Sequence, residues 1–177
     1  MSEIRSAFDA RQVIRALAWL LGFAALYAAA RSVAAFSDQV HVPLVFWVPL
    51  CAIAYALAAW RLRGLASAAA RVGATVTAIA MCLDDFANAA LSSYQTPSLW
   101  TGLIVMTAIM AAACAAAIWL DRSARVAHGV LGLGWLAFVG AGVQGQDEVM
   151  LFAVAMALFA IGLIVTVAGT WRSREVE

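Results

Sequence analysis

The chain has 177 residues, of which 66% are hydrophobic and 12% are charged, and its 11 basic and 10 acidic residues give a net charge of +1. Soluble domains are about half apolar and about a quarter charged, so this composition excludes an ordinary water-exposed surface. The small net charge, with Arg spread thinly along the chain, excludes the concentrated basic face that phosphate backbones require, and no nucleic-acid partner is expected.

Six apolar runs, separated by short clusters of charged residues, predict six transmembrane helices. A helix needs roughly 20 apolar residues to cross the hydrocarbon core of a bilayer. The predicted spans cover residues 16–36, 42–60, 65–91, 99–120, 126–143 and 149–170. The expected fold is therefore all-α, a polytopic transmembrane helical bundle that forms a single domain over residues 1–177.

Charge in the connections predicts the orientation of these spans. Ten of the Arg residues fall in alternate connections and at the chain ends: Arg5, Arg11, Arg15, Arg61, Arg63, Arg71, Arg122, Arg125, Arg172 and Arg174. With five acidic residues beside them, these segments sum to +5, whereas the others hold one Arg and five acids and sum to −4. Because Arg-rich loops stay in the cytoplasm, both termini are expected there, in a bacterial-type inner (plasma) membrane.

Two features bear on how the predicted helices are shaped and packed. Pro49 lies inside the second span, where it is expected to remove an intrahelical hydrogen bond and bend the helix. Small residues let helix backbones approach closely in lipid, and the fifth span is rich in them. The glycines expected to contact a neighbouring helix are Gly129, Gly132, Gly134, Gly140 and Gly142.

The third span carries the most unusual polar segment of the chain, with adjacent acids at Asp84 and Asp85 followed by Asn88. On a helix, residues three and four apart share a face, so the Asn88 amide is expected near both carboxylates. The functional hypothesis is an outward-facing proton or cation site with either acid as the carrier and Asn88 as a neutral ligand. The structural alternative is a helix end with solvated acids.

The depth of this segment decides between those two interpretations. A span over residues 65–83 places the acids at the outer surface, whereas a span over residues 72–91 places them inside the bilayer. An ionised Asp costs about 3 kcal/mol at the centre of a spanning helix, so buried acids would need a cation or a water-filled cavity. Two adjacent carboxylates would also titrate as a coupled pair. The sequence leaves both registers open.

Arg31 lies near the outer end of the first span and is the fourth candidate ligand or ion-site residue, beside Asp84, Asp85 and Asn88. A long Arg side chain can keep its stem in the apolar region and extend its head to the interface, and this snorkelling is the expected arrangement. The alternative is an ion pair across the helices with Asp84, Asp85 or Asp38.

Cofactor, metal and catalytic motifs give no firm assignment. Asp38, His41, Asp147 and Glu148 are acceptable metal ligands, but no spacing joins them into a site and solvated loops are expected, so the metal stays unassigned. His41 and His128 belong to opposite ends of the predicted bundle, which excludes a bis-His haem. Cys51, Cys82 and Cys114 form no CxxC motif and are expected to pack in the core. No cofactor and no catalytic residue is expected.

Three functions remain open, and all place the chain in the lipid bilayer. The favoured hypothesis is a non-catalytic subunit of a membrane assembly, with other membrane subunits or further copies of itself as partners. The alternative is a small proton- or cation-linked transporter or channel that uses the acidic pair. A third is a membrane enzyme acting on lipid or quinone, but no hydrolase or protease motif supports enzyme activity.

Overall fold

The computed structural model describes residues 10–36, 43–91, 97–144 and 149–172. Six α-helices follow one another: α1 Ala10–Phe36, α2 Val48–Arg61, α3 Gly64–Leu91, α4 Pro97–Leu120, α5 Arg125–Gln144 and α6 Val149–Arg172. Short 3₁₀ helices precede α2 at Leu44–Trp47 and α5 at Arg122–Ala124. Nearly all of the described residues are helical, and none is in a strand. The six helices are long and apolar enough to span a membrane, α2 together with the 3₁₀ helix before it. The predicted all-helical architecture is confirmed at this level.

One end of the bundle collects the acids of α3, and we call it the acidic end. There the end of α1 meets the end of α3 through an ion pair between Arg31 and Asp84. The Phe86 ring of α3 lies 5.6 Å from the ring of Trp100, near the start of α4, and 5.6 Å from that of Phe152, near the start of α6. Helices that end here therefore alternate with helices that begin here.

The opposite end, which we call the arginine-rich end, joins the remaining helix termini. Arg71, two turns into α3, bonds to Asp121, which directly follows α4, and to His128, near the start of α5. The start of α1 is present too, since Gln12 lies against Gly64 at the first residue of α3. Consecutive helices thus run in alternate directions between the two ends.

The helix α3 is the centre of the bundle. It packs against α1, α2 and α6. In addition, α2 packs against α4, α4 against α5 and α5 against α6. In the most apolar stretch of α3, 78% of residues are buried, against 17% in α1 and 22% in α6. Because most of this stretch is buried, its polar side chains are expected to find partners inside the protein. Both polar clusters described below are built on it.

The glycines of α5 allow close packing on two sides. A Cβ at Gly134 would lie 2.8 Å from the Phe159 ring of α6, and one at Gly132 would lie 3.3 Å from Cys114 of α4. The expected helix contacts are confirmed at these positions. At Gly129 the expectation is wrong, because nothing lies within 4 Å of an added Cβ.

Pro49 does not bend the middle of a helix. It occupies the first turn of α2, directly after the 3₁₀ helix. Pro has no backbone N–H. This costs little in the first turn of an α-helix, where the N–H groups of other residues also lack an α-helical hydrogen-bond acceptor. The expected kink was therefore wrong, and Pro49 instead marks the change from 3₁₀ to α geometry.

Candidate functional site

The first polar cluster is the ion pair at the acidic end. Arg31 Nη1 donates to both carboxylate oxygens of Asp84, at 2.8 Å to Oδ1 and 2.7 Å to Oδ2. The Arg31 side chain is 54% exposed and the Asp84 side chain 19%. Arg31 therefore forms the ion pair with Asp84 that was the alternative expectation. Its guanidinium does not extend away from the acids. Asp84 is held to α1 by a partner that itself faces outward.

Asp85 has a different partner, the start of the helical segment before α2. Its Oδ2 accepts a hydrogen bond of 2.7 Å from the backbone N–H of Val45, and the residue is only 6% exposed. The N–H groups in the first turn of a helix have no intrahelical acceptor, and the residue before this turn, Pro43, supplies no side-chain cap. Asp85 caps the turn from a neighbouring helix, where a negative charge also meets the positive end of the helix dipole.

The remaining acidic-end candidates are placed only in part. Asn88 lies on α3, but its side chain is outside the described part, so its role as a ligand stays a prediction. Asp38, His41, Asp147 and Glu148 also fall outside the described residues. Within the described ranges, no three His, Cys, Asp or Glu side chains approach closely enough to hold a metal ion. The two adjacent acids are bonded to separate partners, Asp84 to Arg31 and Asp85 to the Val45 amide.

The second polar cluster, at the arginine-rich end, is centred on Arg71. This residue is only 5% exposed. Its Nε donates to the Ser67 carbonyl at 3.2 Å, and its Nη1 lies 3.2 Å from both Asp121 Oδ2 and His128 Nε2. Arg71, which the charge count placed in a connection, lies two turns inside α3 and has Asp121 as its ionic partner.

His128 extends this cluster into the core. The ring is fully buried; Nδ1 lies 2.8 Å from the Tyr55 hydroxyl, and Nε2 faces Arg71. A guanidinium only donates, so Nε2 must accept, and a neutral ring then carries its proton on Nδ1. That proton is donated to the Tyr55 oxygen. Arg71, His128 and Tyr55 form one hydrogen-bonded chain that joins α3, α5 and α2.

Asp121 closes the chain at the turn between α4 and α5. Its carboxylate accepts hydrogen bonds from the Ser123 backbone N–H and hydroxyl, which makes it the N-cap of the short 3₁₀ helix before α5. Burial acts to raise the pKa of Asp121. The Ser123 hydrogen bonds and the Arg71 charge outweigh burial and bring this pKa below its usual value. The carboxylate is therefore ionised at neutral pH.

A cavity of about 550 Å³ adjoins the second cluster. It lies between the start of α3, the turn between α4 and α5, and the last two turns of α6. Its polar lining includes Arg63, Ser67, Arg71, Asp121, Ser123 and Thr166. Neither Asp84 nor Asp85 contributes to it. The arginine-rich end thus combines a buried charge network with an adjoining cavity.

This second cluster was missed by reasoning from the sequence. Its members are single residues on four separate segments, and no motif joins them. One signal was available: Arg71 lies well inside a predicted span, and an ionisable residue at such a position indicates a functional site by default. The partners Tyr55, Asp121 and His128 required the helix packing. No known family model, curated protein or solved structure matches the chain.

Proposed function

We propose that the chain is a multi-pass inner-membrane protein with both termini in the cytoplasm. Six helices of sufficient length and apolar character support this proposal. The fold also gathers one set of Arg residues at or beside the helix ends of the arginine-rich end: Arg61, Arg63, Arg122 and Arg125. Because Arg is retained on the cytoplasmic side, this end faces the cytoplasm.

The depth of the acidic pair follows from the length of the second span. The 18 residues from Leu44 to Arg61 extend over about 29 Å, at about 2.0 Å per residue in the 3₁₀ helix and 1.5 Å in α2, close to the thickness of a hydrocarbon core. Asp85 is bonded to Val45, at the first turn of this span. We therefore propose that both acids lie at the outer boundary of the bilayer, as they would if the third span covered residues 65–83.

We propose that the protein is a non-catalytic subunit of a membrane assembly or of a homo-oligomer. The observation that carries this proposal is the structural use of both acids, one in an ion pair and one as a helix cap. Arg71 and Asp84 are 13 residues, or about 20 Å, apart along α3. Between them the described interior holds no charged side chain. A conducting path usually needs polar groups from several helices to replace hydration.

The outer face of α1 supports a partner role. Among its large apolar side chains, Ile14 is 64% exposed and Leu21 is 69% exposed. Such a face must contact lipid or another chain, since water would not tolerate it. The helix packs mainly on α3, so most of its circumference is open to such contacts.

Transport through the acidic pair would require more rearrangement. Arg31 would have to release Asp84, and the cap at the start of the second span would lose its negative charge whenever Asp85 took up a proton. An enzyme that uses either acid would need a substrate pocket beside it, and neither acid lines the 550 Å³ cavity. The subunit role requires neither change.

Two measurements test the proposal. Reporter fusions active on only one side of the membrane, placed at each terminus, should both report the cytoplasm; an external signal from either would contradict the orientation. Native extraction in polymer-bounded lipid discs, followed by mass measurement, should give a complex of fixed stoichiometry heavier than the 18.6 kDa chain. A lone chain in discs from its own membrane would contradict the subunit role.

A further inference from the structure

The cavity at the arginine-rich end has a charge that the proposed subunit role does not use. Arg63 and Arg71 line it against a single carboxylate, Asp121, so its ionised side chains sum to +1. Gly64 opens α3 at the cavity wall, and Ser123 lies at the turn that opens α5. First-turn N–H groups carry partial positive charge, so two helix starts add to the positive field.

The buried guanidinium has donor capacity to spare. Arg71 uses Nε for the Ser67 carbonyl and Nη1 for Asp121 and His128. Among the described residues, no hydrogen bond is made by Nη2. The Arg71 side chain is only 6% exposed, so a group that bonded to it there would be largely removed from water. Charge-assisted bonds from Arg to an oxyanion are strong, and stronger where water is excluded.

Apolar residues complete the cavity and indicate an amphipathic ligand. Leu62, Val126 and Val165 contribute to the walls, beside the charged lining. The volume of about 550 Å³ exceeds what a lone phosphate fills and accommodates a phosphate with an attached glycerol and the first carbons of its chains. Basic pockets between spanning helices on the cytoplasmic side are typical sites for anionic lipid head groups.

We propose that this cavity binds a phosphate group, with Arg63 and Arg71 as its cationic contacts, carried by an anionic lipid of the cytoplasmic leaflet. The lipid as the source of the phosphate rests on the proposed membrane location and orientation. Free phosphate shares the same chemistry and would use the same two arginines. The residues of the acidic end take no part.

Binding is measured by thermal shift of the full-length chain in a non-ionic detergent, because a ligand that binds only the folded state raises Tm with concentration. The probes are short-chain phosphatidic acid, diacylglycerol with the same chains but no phosphate, and inorganic phosphate. We expect saturable stabilisation by phosphatidic acid and none by diacylglycerol. Stabilisation by inorganic phosphate alone would assign the site to free phosphate; stabilisation by neither phosphate probe would overturn the proposal.

Matched variants place the binding in the cavity. Arg63→Gln and Arg122→Gln remove the same charge from the same end of the bundle, but only Arg63 lines the cavity. We expect Arg63→Gln to weaken binding about fivefold, the effect of one basic residue at a lipid head group, and Arg122→Gln to weaken it less than about twofold. Equal losses would show general attraction to positive charge and overturn the proposal.

A second pair of variants changes volume instead of charge. Ala168 of α6 lines the cavity, whereas its neighbour Val167 does not and is 46% exposed. Ala168→Phe should abolish most of the phosphatidic acid stabilisation without lowering the Tm of the unliganded protein, and Val167→Phe should leave binding unchanged. Normal binding by Ala168→Phe would overturn the cavity assignment. Flotation of each variant with vesicles reports membrane association separately, so failure of the location proposal is distinguishable from failure of the site.

Discussion

The two ends of α3 satisfy polar groups in different ways. At the acidic end, Asp84 has one partly exposed partner on α1, and Asp85 bonds to one backbone amide. At the arginine-rich end, Arg71 belongs to a chain of side chains that joins α2, α3, α5 and the α4–α5 turn, beside a cavity. The contacts at the acidic end hold neighbouring helices together. Those at the arginine-rich end do so too, and they also place charge beside the cavity.

This difference shows that a conspicuous sequence feature is not always where binding capacity lies. Adjacent acids draw attention, yet each is committed to a local structural contact. The scattered residues Arg71, Asp121 and His128 form a network because three helix ends converge on them. Buried networks of this kind are costly when partly broken, so the two ends should respond unequally to substitution.

The largest effect is expected on removing Arg71. Arg71→Met leaves the Asp121 carboxylate and the His128 ring without their shared donor, and breaking a buried ion pair on one side costs about 3–5 kcal/mol. Thermal unfolding in detergent should show a large fall in Tm. The control Arg122→Gln, at an exposed position of the same end, should change the free energy of unfolding by less than about 0.5 kcal/mol. Similar Tm values for the two variants would show that the buried network contributes no more to stability than an exposed charge of the same end.

A smaller loss is expected from Tyr55→Phe, which removes the hydroxyl that His128 bonds. A buried donor left without its acceptor costs about 1–3 kcal/mol. Combining this variant with His128→Ala tests the specific contact, since the second substitution removes the group left unpaired. The combined loss should be smaller than the sum of the single losses. Strict additivity would mean that the two residues stabilise the fold independently.

The acidic end should separate its two carboxylates. Asp85→Ala leaves the Val45 amide uncapped and is expected to cost about 1–2 kcal/mol, the usual range for a lost helix cap. Asp84→Ala removes an ion pair whose Arg31 side chain is 54% exposed and screened by solvent, and should cost less than Asp85→Ala. Chemical or thermal unfolding of the pair gives the comparison. A greater loss for Asp84→Ala would contradict the assigned roles.

The smallest effect is a pH dependence at Asp121. Its pKa is lowered in the folded protein, so its stabilising contribution is present above the unfolded pKa of about 3.9 and is lost as pH falls through the folded value. The Tm difference between the unmodified protein and Asp121→Asn should therefore stay constant from about pH 7 to pH 5 and shrink below about pH 4. A difference that instead grew on acidification would contradict the lowered pKa.

Much of the architecture could be predicted from the sequence, because bilayer length and apolar composition constrain helices strongly. The six helices follow from this constraint. The position of Pro49 shows its limit: a span of apolar residues does not reveal where 3₁₀ geometry ends and α2 begins. The start of this 3₁₀ helix is capped by Asp85 from another helix, and that tertiary contact cannot be read from the apolar run either.

The candidate site could be predicted less well, for a related reason. The sequence places Asp84 and Asp85 side by side, but adjacent helical residues point in different directions, and only packing assigns Arg31 to one and Val45 to the other. The network of Arg71 depends on contacts over 50 and 57 residues, to Asp121 and His128. Such pairings cannot be read from local spacing.

Ion flux through reconstituted protein tests the central claim, that the acidic pair is a structural joint rather than part of a conducting path. Proteoliposomes holding a pH-sensitive dye would be given a potassium diffusion potential, with an added protonophore as the positive control. The same assay with sodium and a sodium-sensitive dye covers cations. We predict that liposomes containing the unmodified protein, Asp84→Asn or Asp85→Asn all show the same ion flux as protein-free liposomes. A flux carried by the unmodified protein and lost in either variant would contradict the claim and restore transport as the function.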